Sequence, residues 1–231
     1  MKKNVYMVVD TETVGLQGGV YDVGLVVCDR KGNIEFEYNA LVEEIITNPY
    51  EMQQAFYHSK VFTKYIPALS NGRVNVLPWL RIEQDIHEII RDYHVNVVCA
   101  YNLAFDARVL RGMVETFGTC KPMLPTTVKT LDLWHLACMT RLNTIAYKEL
   151  ALAHGWVSDA GNYLTNAECT YRFLSDDPDF FEEHTALSDA RIEALILSEC
   201  LKSKVKLPYD KLEANPWKIV NGNSAQGSFR L

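Results

Sequence analysis

Residues 4–42 contain three apolar runs that have the length and the β-branched content of strands. The runs are NVYMVVD (4–10), VYDVGLVVCD (20–29) and NIEFEYNALV (33–42). The second and third runs are joined by DRKGN, whose Asp, Gly and Asn suit a tight hairpin. This pattern predicts an antiparallel meander of three strands, so the chain is expected to fold around a sheet.

Helix and strand patterns alternate over the second half of the chain. An amphipathic helix over 79–93 is followed by a buried strand over 95–102, a helix over 104–117 and a short strand entering a helix over 129–137. Further helices are predicted over 144–155, where Gly155 is a common C-terminal stop, over 162–176 and over 184–201. Three antiparallel strands followed by this alternation predict an α/β fold with a mixed five-stranded sheet flanked by helices.

Two parts of the chain lie outside this pattern. Residues 43–80 are irregular, with one helical stretch predicted over 49–66, and the sequence after residue 207 is rich in Pro, Gly, Asn and Ser. We therefore expect a single domain over 1–207 with an insertion at about 44–80, and a C-terminal tail over 208–231 that wraps the surface or stays mobile.

Charge and composition narrow the class of protein. The formal net charge is −6, which argues against a broad basic face gripping duplex DNA, so any contact with nucleic acid should be local and assisted by metal. No apolar run approaches about 18 residues, and MKKNVYMVVD lacks a small-residue cleavage site, so neither a membrane span nor a signal peptide is expected. The six cysteines are scattered without a C-x-x-C pair, which favours reduced structural thiols in a cytoplasmic protein.

Two acids, Asp10 and Glu12, follow the first apolar run in VYMVVDTETVGL, and Gly15 then breaks the pattern. Strand side chains alternate with a period of two, so the two carboxylates are expected to point the same way. Like charges held side by side repel each other, so stability alone gives no reason for the pair. A cation between them is the simplest explanation.

Two further segments place acids where a substrate could reach them. In AYNLAFDARVL the strand is expected to end near Asn102, and Asp106 then falls in the first turn of a helix, where the helix dipole alone would favour a carboxylate. In EEHTALSDARIEALIL, His184 and Asp189 lie five apart on a predicted helix, about 140° around its axis and so on neighbouring faces. The alternative for this second segment is an ordinary polar helix entrance with a structural histidine.

Taken together and in this order, DTETVGL, YNLAFD and HTALSDA resemble the three motifs of the DnaQ-like (DEDD) 3′–5′ exonuclease superfamily. The histidine five residues before the last aspartate matches the DEDDh branch, which includes the proofreading subunit of bacterial DNA polymerase III, ribonuclease T and oligoribonuclease. The resemblance runs from residue 5 to about residue 200, and it implies a ribonuclease H-like fold. Tyr101 stands where many members have His, and QQAFYHSKVFTKY is similar to phage-type members.

The resemblance implies a set of site residues. Asp10, Glu12, Asp106 and Asp189 would be the four metal-binding acids and His184 the general base. The chemistry is consistent with this set, because hard divalent ions such as Mg²⁺ or Mn²⁺ prefer carboxylate oxygens. Two such ions can activate the attacking water and stabilise the leaving 3′ oxygen. The resemblance also implies that the base sits on a segment whose assembly waits for substrate.

Four other residues are implied to contact the substrate: Thr13, Leu16, Asn102 and Phe105. Thr13 and Leu16 would meet the 3′-terminal nucleotide, with Leu16 as a wedge against the base. Asn102 would lie beside the scissile nucleotide, and Phe105 would wall the nucleotide pocket. Leu16 could instead be an ordinary surface leucine, and Phe105 could equally belong to the core.

The predicted activity is metal-dependent release of nucleoside 5′-monophosphates from the 3′ end of single-stranded DNA. The alternative within the family is a 3′–5′ exoribonuclease acting on short RNA. Proteins distinguish RNA from DNA by contacts to the 2′-OH, and the spacing of residues in this sequence does not identify a side chain that makes such a contact. A phosphatase of the haloacid dehalogenase type is a weaker alternative, since Glu12 replaces its second Asp and its downstream Lys and G-D-x-x-x-D loop are missing.

A binding module that lost its chemistry would lack at least one acid, whereas all four acids and the histidine are present. The expected partner is nucleic acid with a free 3′ end, and no membrane. A polymerase or replication partner could dock on the C-terminal tail through Trp217 and Phe229. The expected location is the cytoplasm, which would be that of the host if the chain is phage-encoded.

Overall fold

A computed structural model describes residues 4–55 and 57–222 of the chain. Six strands form one sheet in the spatial order β4-β3-β2-β1-β5-β6. In chain order the strands are β1 (Tyr6–Thr13), β2 (Val20–Cys28), β3 (Ile34–Val42), β4 (Asn75–Leu77), β5 (Val97–Ala100) and β6 (Lys129–Asp132).

Helices pack on both faces of this sheet. In chain order they are α1 (Glu43–Ile46), α2 (Pro49–Met52), α3 (Ile66–Ser70), α4 (Trp79–Asp92), α5 (Leu103–Phe117), α6 (Leu133–Ala137), α7 (Ile145–Ala153), α8 (Ala167–Ser175), α9 (Ala186–Cys200) and α10 (Trp217–Asn221). Two π-helical segments, Val61–Tyr65 and Cys138–Leu142, precede α3 and follow α6.

The sheet has the predicted mixed topology. Strands β1, β2 and β3 form an antiparallel meander, and β5 and β6 are parallel to β1 and to each other. The fold is therefore α/β with antiparallel strands followed by parallel ones, as the sequence pattern predicts. The sixth strand, β4, was not expected. It is three residues long and pairs in parallel with the end of β3 at the sheet edge, so its pattern is too short to stand out in the sequence.

The alternation of side chains along β1 divides the apolar core into two layers. Met7 and Val9 belong to the layer that contains residues of α4 and α5, whereas Tyr6 and Val8 belong to the layer that contains residues of α6 and α9. This period of two is the normal geometry of a strand buried on both faces. The even-numbered positions of β1 therefore face α9.

The helical stretch predicted over 49–66 is interrupted. It divides into α2, a turn, the π-helical segment Val61–Tyr65 and α3. Pro67 in the first turn of α3 supplies a reason, because it has no N–H and its ring crowds the carbonyl four residues earlier. The backbone widens there instead of continuing as a regular α-helix.

The described part of the tail includes α10, in which Val220 and Asn221 are buried. Of the two proposed anchors, Trp217 begins α10, and Phe229 lies outside the described residues. All six cysteines are free, and Cys28 and Cys99 are buried in strands. Among the described residues, no helix has the length and apolar character needed to cross a membrane.

Candidate active site

The two acids of the first motif lie in the second half of β1, which continues beyond the apolar run to Thr13. The ladder continues because β2 provides a partner at each position, with Asp10 opposite Gly24 and Glu12 opposite Asp22. An irregularity between Glu12 and Thr13 then bends the strand. Both carboxylates are consequently held on a rigid element.

Asp10 and Glu12 occupy even-numbered positions of β1 and so face α9, as the period of two predicted. Thr11 occupies the opposite face, toward α5, and its hydroxyl donates a hydrogen bond of 2.8 Å to Oδ1 of Asp106. Asp106 is buried in the first turn of α5. Strand β1 thus connects the acids of the first motif to the acid of the second.

Helix α9 carries the last acid, Asp189, and β2 sets its position at two points. A Cβ added to Gly24 would lie 2.1 Å from the carbonyl carbon of Ala186, so only glycine lets the helix start approach the sheet this closely. The backbone N–H of Ala186 donates a 3.0 Å hydrogen bond to Oδ2 of the fully buried Asp22. Together these contacts place the first turn of α9, and with it Asp189, over the acids of β1.

His184 lies before α9, so its predicted placement on the helix was wrong. The N-cap of α9 is Thr185, in extended conformation, and the backbone of His184 is left-handed, with φ of 51°. This conformation is uncommon for a residue other than glycine. It directs the imidazole toward the acids, with Nδ1 at 4.0 Å from Oδ2 of Asp189 and at 3.7 Å from Oε2 of Glu182.

The acids form one crowded cluster. Ligand atoms of Glu12, His184 and Asp189 all lie within 4.8 Å of one another. Burial raises the pKa of Glu12 to about 9, and the charge of Asp189 adds to the effect. Burial also raises the pKa of Asp189 to about 8, with Glu182 as the next contributor, and that of Asp106 to about 7.

Asp10 lies within electrostatic reach of four other carboxylates. Burial raises its pKa well above the usual value, and the charges of Glu193, Asp106, Asp189 and Glu12 raise it further. These carboxylates belong to three separate segments of the chain. Of the four predicted metal-binding acids, Glu12 and Asp189 thus lie at ligand distance from one another, whereas Asp10 and Asp106 are linked to them through charge.

The residues present fit a divalent cation. Oδ1 of Asp189 is buried and has no hydrogen-bond partner among the described residues, although a buried carboxylate oxygen is normally satisfied. The surrounding donors are carboxylate oxygens and one imidazole, the ligand types that hard divalent ions accept. A cation would supply the missing partner and offset the repulsion among the acids.

The segment after β1 forms a tight turn. Gly15 has a φ of 69°, and the Thr13 hydroxyl donates a 2.9 Å hydrogen bond to its carbonyl. Leu16 follows with 67% of its surface exposed. Arg108 of α5 holds this turn, with Nη2 donating to the Leu16 carbonyl at 2.8 Å and Nη1 to Gln17 at 3.3 Å. An exposed leucine is thus presented on a constrained backbone beside the acids of β1.

The last two predicted substrate residues lie at the start of α5. Asn102 is an exposed residue at the helix N-cap, with a left-handed φ of 68° and no capping hydrogen bond from its side chain. Phe105 is partly buried against the core, and the guanidinium of Arg108 lies 5.1 Å from its ring centroid. The Tyr101 hydroxyl points elsewhere and donates to the Thr165 carbonyl at 2.6 Å.

Sequence reasoning missed three acids around the cluster. Glu193 is buried and accepts a 3.0 Å hydrogen bond from the Tyr101 N–H, which links α9 to the end of β5. Glu193 could have been recognised from the sequence, because it lies four residues after Asp189 and so on the same side of the helix. Asp22 was visible as an acid within an apolar strand pattern. Glu182 had no such signal, since its nearness to His184 depends on the loop conformation.

No protein-family model matches the chain, and no curated protein sequence matches it. The fold, however, is that of solved exonucleases. The chain is similar to exonuclease I of E. coli in complex with a 5cy-dT13 oligonucleotide, with 15% identity and a TM-score of 0.52 over 84% of this chain and 39% of that chain.

Two further exonuclease I structures are similar to the same extent. The zinc-bound E. coli exonuclease I–ssDNA complex has 12% identity and a TM-score of 0.51, covering 85% of this chain and 40% of that one. The moderately thermophilic exonuclease I from Methylocaldum szegediense has 15% identity and a TM-score of 0.52, covering 95% and 43%. The chain thus spans about two fifths of these proteins, and at this identity the similarity concerns the fold.

Proposed function

We propose that the chain is a metal-dependent 3′–5′ exonuclease of the DEDDh type that releases nucleoside 5′-monophosphates from single-stranded DNA. The observation that carries the proposal is that residues of the first and third motifs meet in one group of possible metal ligands. Glu12 of the first motif and His184 and Asp189 of the third have ligand atoms within 4.8 Å of one another. Asp106 of the second motif is tied to the same strand through Thr11.

Asp10, Glu12, Asp106 and Asp189 are the residues that would hold two divalent ions, Mg²⁺ or Mn²⁺. When bound, two ions supply activation of water as a nucleophile and stabilisation of the leaving 3′ oxygen. The protein's own contribution is a rigid, buried arrangement of carboxylates on β1, α5 and α9. Burial and the neighbouring carboxylates raise the pKa values of Asp10, Glu12 and Asp189.

His184 is proposed to accept the proton of the attacking water. Burial and the nearby Lys60 ammonium lower the pKa of its imidazole, which keeps the ring neutral and able to accept a proton near pH 7. General-base catalysis of this kind contributes about 10²–10⁴-fold to a rate. Glu182, at 3.7 Å from Nδ1, can orient the ring so that the other nitrogen remains available.

The 3′-terminal nucleotide is proposed to lie between the turn after β1 and the start of α5. Leu16 would wedge against the base, Thr13 and Asn102 would contact the sugar–phosphate, and Phe105 would line the pocket. A groove of about 590 Å³ continues from this turn along α5 and is lined by Arg108 and Arg111. Glu51 and Glu115 also line the groove, so the two arginines offer local phosphate contacts within a lining of mixed charge.

Single-stranded DNA is the proposed polymer because two of the similar exonuclease I structures are described as complexes with an oligonucleotide or ssDNA. The test is a parallel digestion of 3′-labelled and 5′-labelled single-stranded DNA, duplex DNA and RNA, with Mg²⁺ and with Mn²⁺. Release of labelled mononucleotide from 3′-labelled single-stranded DNA, and a ladder from the 5′-labelled strand, are the expected results. Asp10→Asn is the inactive control.

Other outcomes of this digestion replace the proposal with a named alternative. Preference for short RNA would indicate an exoribonuclease. Hydrolysis of small phosphomonoesters without cleavage of any polymer would indicate a phosphatase. Binding of single strands without hydrolysis under either metal would indicate a non-catalytic module.

The remaining assignments stay predictions. They are the phage-type subgroup, a cytoplasmic location, the domain limits at residue 207, and a polymerase or replication partner on the C-terminal tail. A pull-down with the full chain and with a chain ending at residue 207 would test the role of the tail.

A further inference from the structure

The segment inserted between β3 and β4 reaches the loop that carries His184. The ring of Tyr57 stacks on the imidazole of His184, with centroids 4.3 Å apart and planes inclined by 12°. We propose that Tyr57 and Lys60 are positioning residues that hold His184 against the acidic cluster before substrate arrives. This inference rests on the proposed role of His184 as the general base.

Tyr57 covers one face of the imidazole. A nearly parallel ring at this distance removes the freedom of the His184 side chain to rotate away from the cluster, because rotation would break the stack. The edge of the imidazole faces the acids, and Nδ1 lies within 4.0 Å of both Glu182 and Asp189. The ring is therefore restrained on its face by Tyr57 while Nδ1 is directed at the acids.

Lys60 restrains the backbone of the same loop. Its ammonium donates to the carbonyl oxygen of Glu183 and, at 3.2 Å, to that of His184. It also lies 4.1 Å from the ring centroid of Tyr57, so one cation joins both elements of the support. The φ of His184 is 51°, and such a conformation persists only where its surroundings hold it. Lys60 holds this conformation through its hydrogen bonds to the carbonyl oxygens of Glu183 and His184.

The inserted segment is itself fixed to the sheet, so it can act as a rigid support. The Tyr65 hydroxyl donates a 2.9 Å hydrogen bond to Oδ2 of Asp22. The same oxygen accepts the N–H of Ala186, the first residue of α9. One buried carboxylate of β2 therefore anchors both the inserted segment and the helix that follows His184. The resemblance to the family implied a base that assembles with substrate, whereas these contacts predict a base already in place.

Four substitutions separate positioning from general stability. Tyr57→Phe keeps the ring, Tyr57→Leu keeps apolar bulk without a ring, and Lys60→Met removes the ammonium. Lys64→Met is the matched control, because Lys64 is on the same segment but pairs at 3.1 Å with the exposed side chain of Glu183. Thermal unfolding of each variant shows which of them are folded.

The first measurement is the NMR signal of the His184 ring in metal-free protein without substrate. It is assigned by its loss in His184→Ala. A stacked tyrosine shifts these proton signals upfield, so Tyr57→Leu should move them toward the free-imidazole position, whereas Tyr57→Phe and Lys64→Met should not. An unchanged signal in Tyr57→Leu overturns the inference whatever the activity.

The second measurement is steady-state kinetics on a single-stranded oligonucleotide. Misplacing a catalytic group by about 1 Å can cost about 10²-fold, so Tyr57→Leu and Lys60→Met should lower kcat about 10- to 100-fold and leave KM within about twofold. Tyr57→Phe should restore kcat, and Lys64→Met should match the wild type. A kcat that is unchanged in both Tyr57→Leu and Lys60→Met overturns the inference. If the wild type cleaves no polymer while the ring signal behaves as expected, the proposed function fails and the positioning stands.

Discussion

The first residue of α9, Ala186, packs against Gly24 of β2 so closely that a Cβ on Gly24 would lie 2.1 Å from its carbonyl carbon. This contact sets the distance between the helix that carries Asp189 and the strand pair that carries Asp10. Because the obstructing atoms are backbone, the helix itself must move if the glycine is replaced.

Gly24→Ala should therefore shift α9 outward and separate Asp189 from the acids of β1. Forced overpacking of this kind costs about 1–3 kcal/mol of unfolding free energy. The variant should also lose most of the rise in Tm that is expected for the wild type with Mn²⁺. Urea unfolding and thermal shift with and without Mn²⁺ measure both effects.

Gly112→Ala is the matched control for that substitution. Gly112 lies within α5, and a Cβ there would meet no other atom within 4 Å. Alanine at a helical position is more stable than glycine by about 0.5–1 kcal/mol, so this variant should gain stability and keep its response to Mn²⁺. An unaltered metal response in Gly24→Ala would contradict the structural role given to the glycine.

The raised pKa values predict how stability depends on pH without metal. Burial raises the pKa of Glu12 to about 9, of Asp189 to about 8 and of Asp106 to about 7, against values near 4 in the unfolded chain. The folded state then binds more protons than the unfolded state between about pH 4 and pH 9, so stability falls as pH rises through this range. In EDTA, Tm should decrease from pH 5 to pH 9.

Divalent metal should reverse this trend, because it is proposed to bind the deprotonated cluster of the folded state. At a concentration of 100 times Kd the stabilisation is about 2.7 kcal/mol, or about 5–10 °C in Tm for a chain of this size. The rise with Mn²⁺ should be larger at pH 8 than at pH 5. Differential scanning calorimetry across pH with EDTA, Mg²⁺ or Mn²⁺ makes the measurement, and equal metal shifts at both pH values would argue against the acidic cluster as the binding site.

Asp10→Asn should make the metal-free protein more stable and remove its activity. The substitution removes a carboxyl whose ionised form is disfavoured first by burial and then by the charges of Glu193 and Asp106. A raised pKa in the folded state destabilises the protein above the usual pKa of the group, so a gain in unfolding free energy is expected in EDTA at pH 8. Hydrolysis should fall below detection, because a carboxylate that is proposed to bind metal is lost.

The control for Asp10→Asn is Asp159→Asn, which removes an exposed acid from a surface turn. Its Tm and its nuclease rate should match those of the wild type. Near-normal hydrolysis by Asp10→Asn in a full metal titration would remove Asp10 from the site.

Arg108→Ala tests the turn that presents Leu16. The substitution removes the donor to the Leu16 carbonyl and the cation over the ring of Phe105. Loss of such a hydrogen bond is worth about 1 kcal/mol, which corresponds to a rise of about fivefold in KM with kcat little changed. Arg111→Ala removes the same charge one turn along without a contact to Leu16. If the two variants raise KM equally, Arg108 contributes only its charge to substrate binding, and its hydrogen bond to the Leu16 carbonyl does not affect KM.

Much of the fold was predictable because its signals are local. The three strand patterns over residues 4–42 and the helix–strand alternation after residue 79 indicated the mixed sheet, since periods of 2 and 3.6 residues can be seen in short windows. Strand β4 was missed because three residues are too few to show the alternation of apolar and polar residues that marks a strand. Helix boundaries near His184 were wrong because the residues before Ala186 have no pattern that distinguishes a first turn from a left-handed loop.

The sequence by itself determined which residue types form the cluster: Asp10, Glu12, Asp106, His184 and Asp189 were all chosen from motif order and spacing. Only the tertiary structure decided what holds them together. Gly24 and Asp22 act on α9 across more than 160 residues of chain, and Tyr57 stacks on a histidine 127 positions away. Contacts between segments so far apart in sequence depend on how strands and helices pack. They produce no regular residue pattern in the sequence, so they could not be predicted from it.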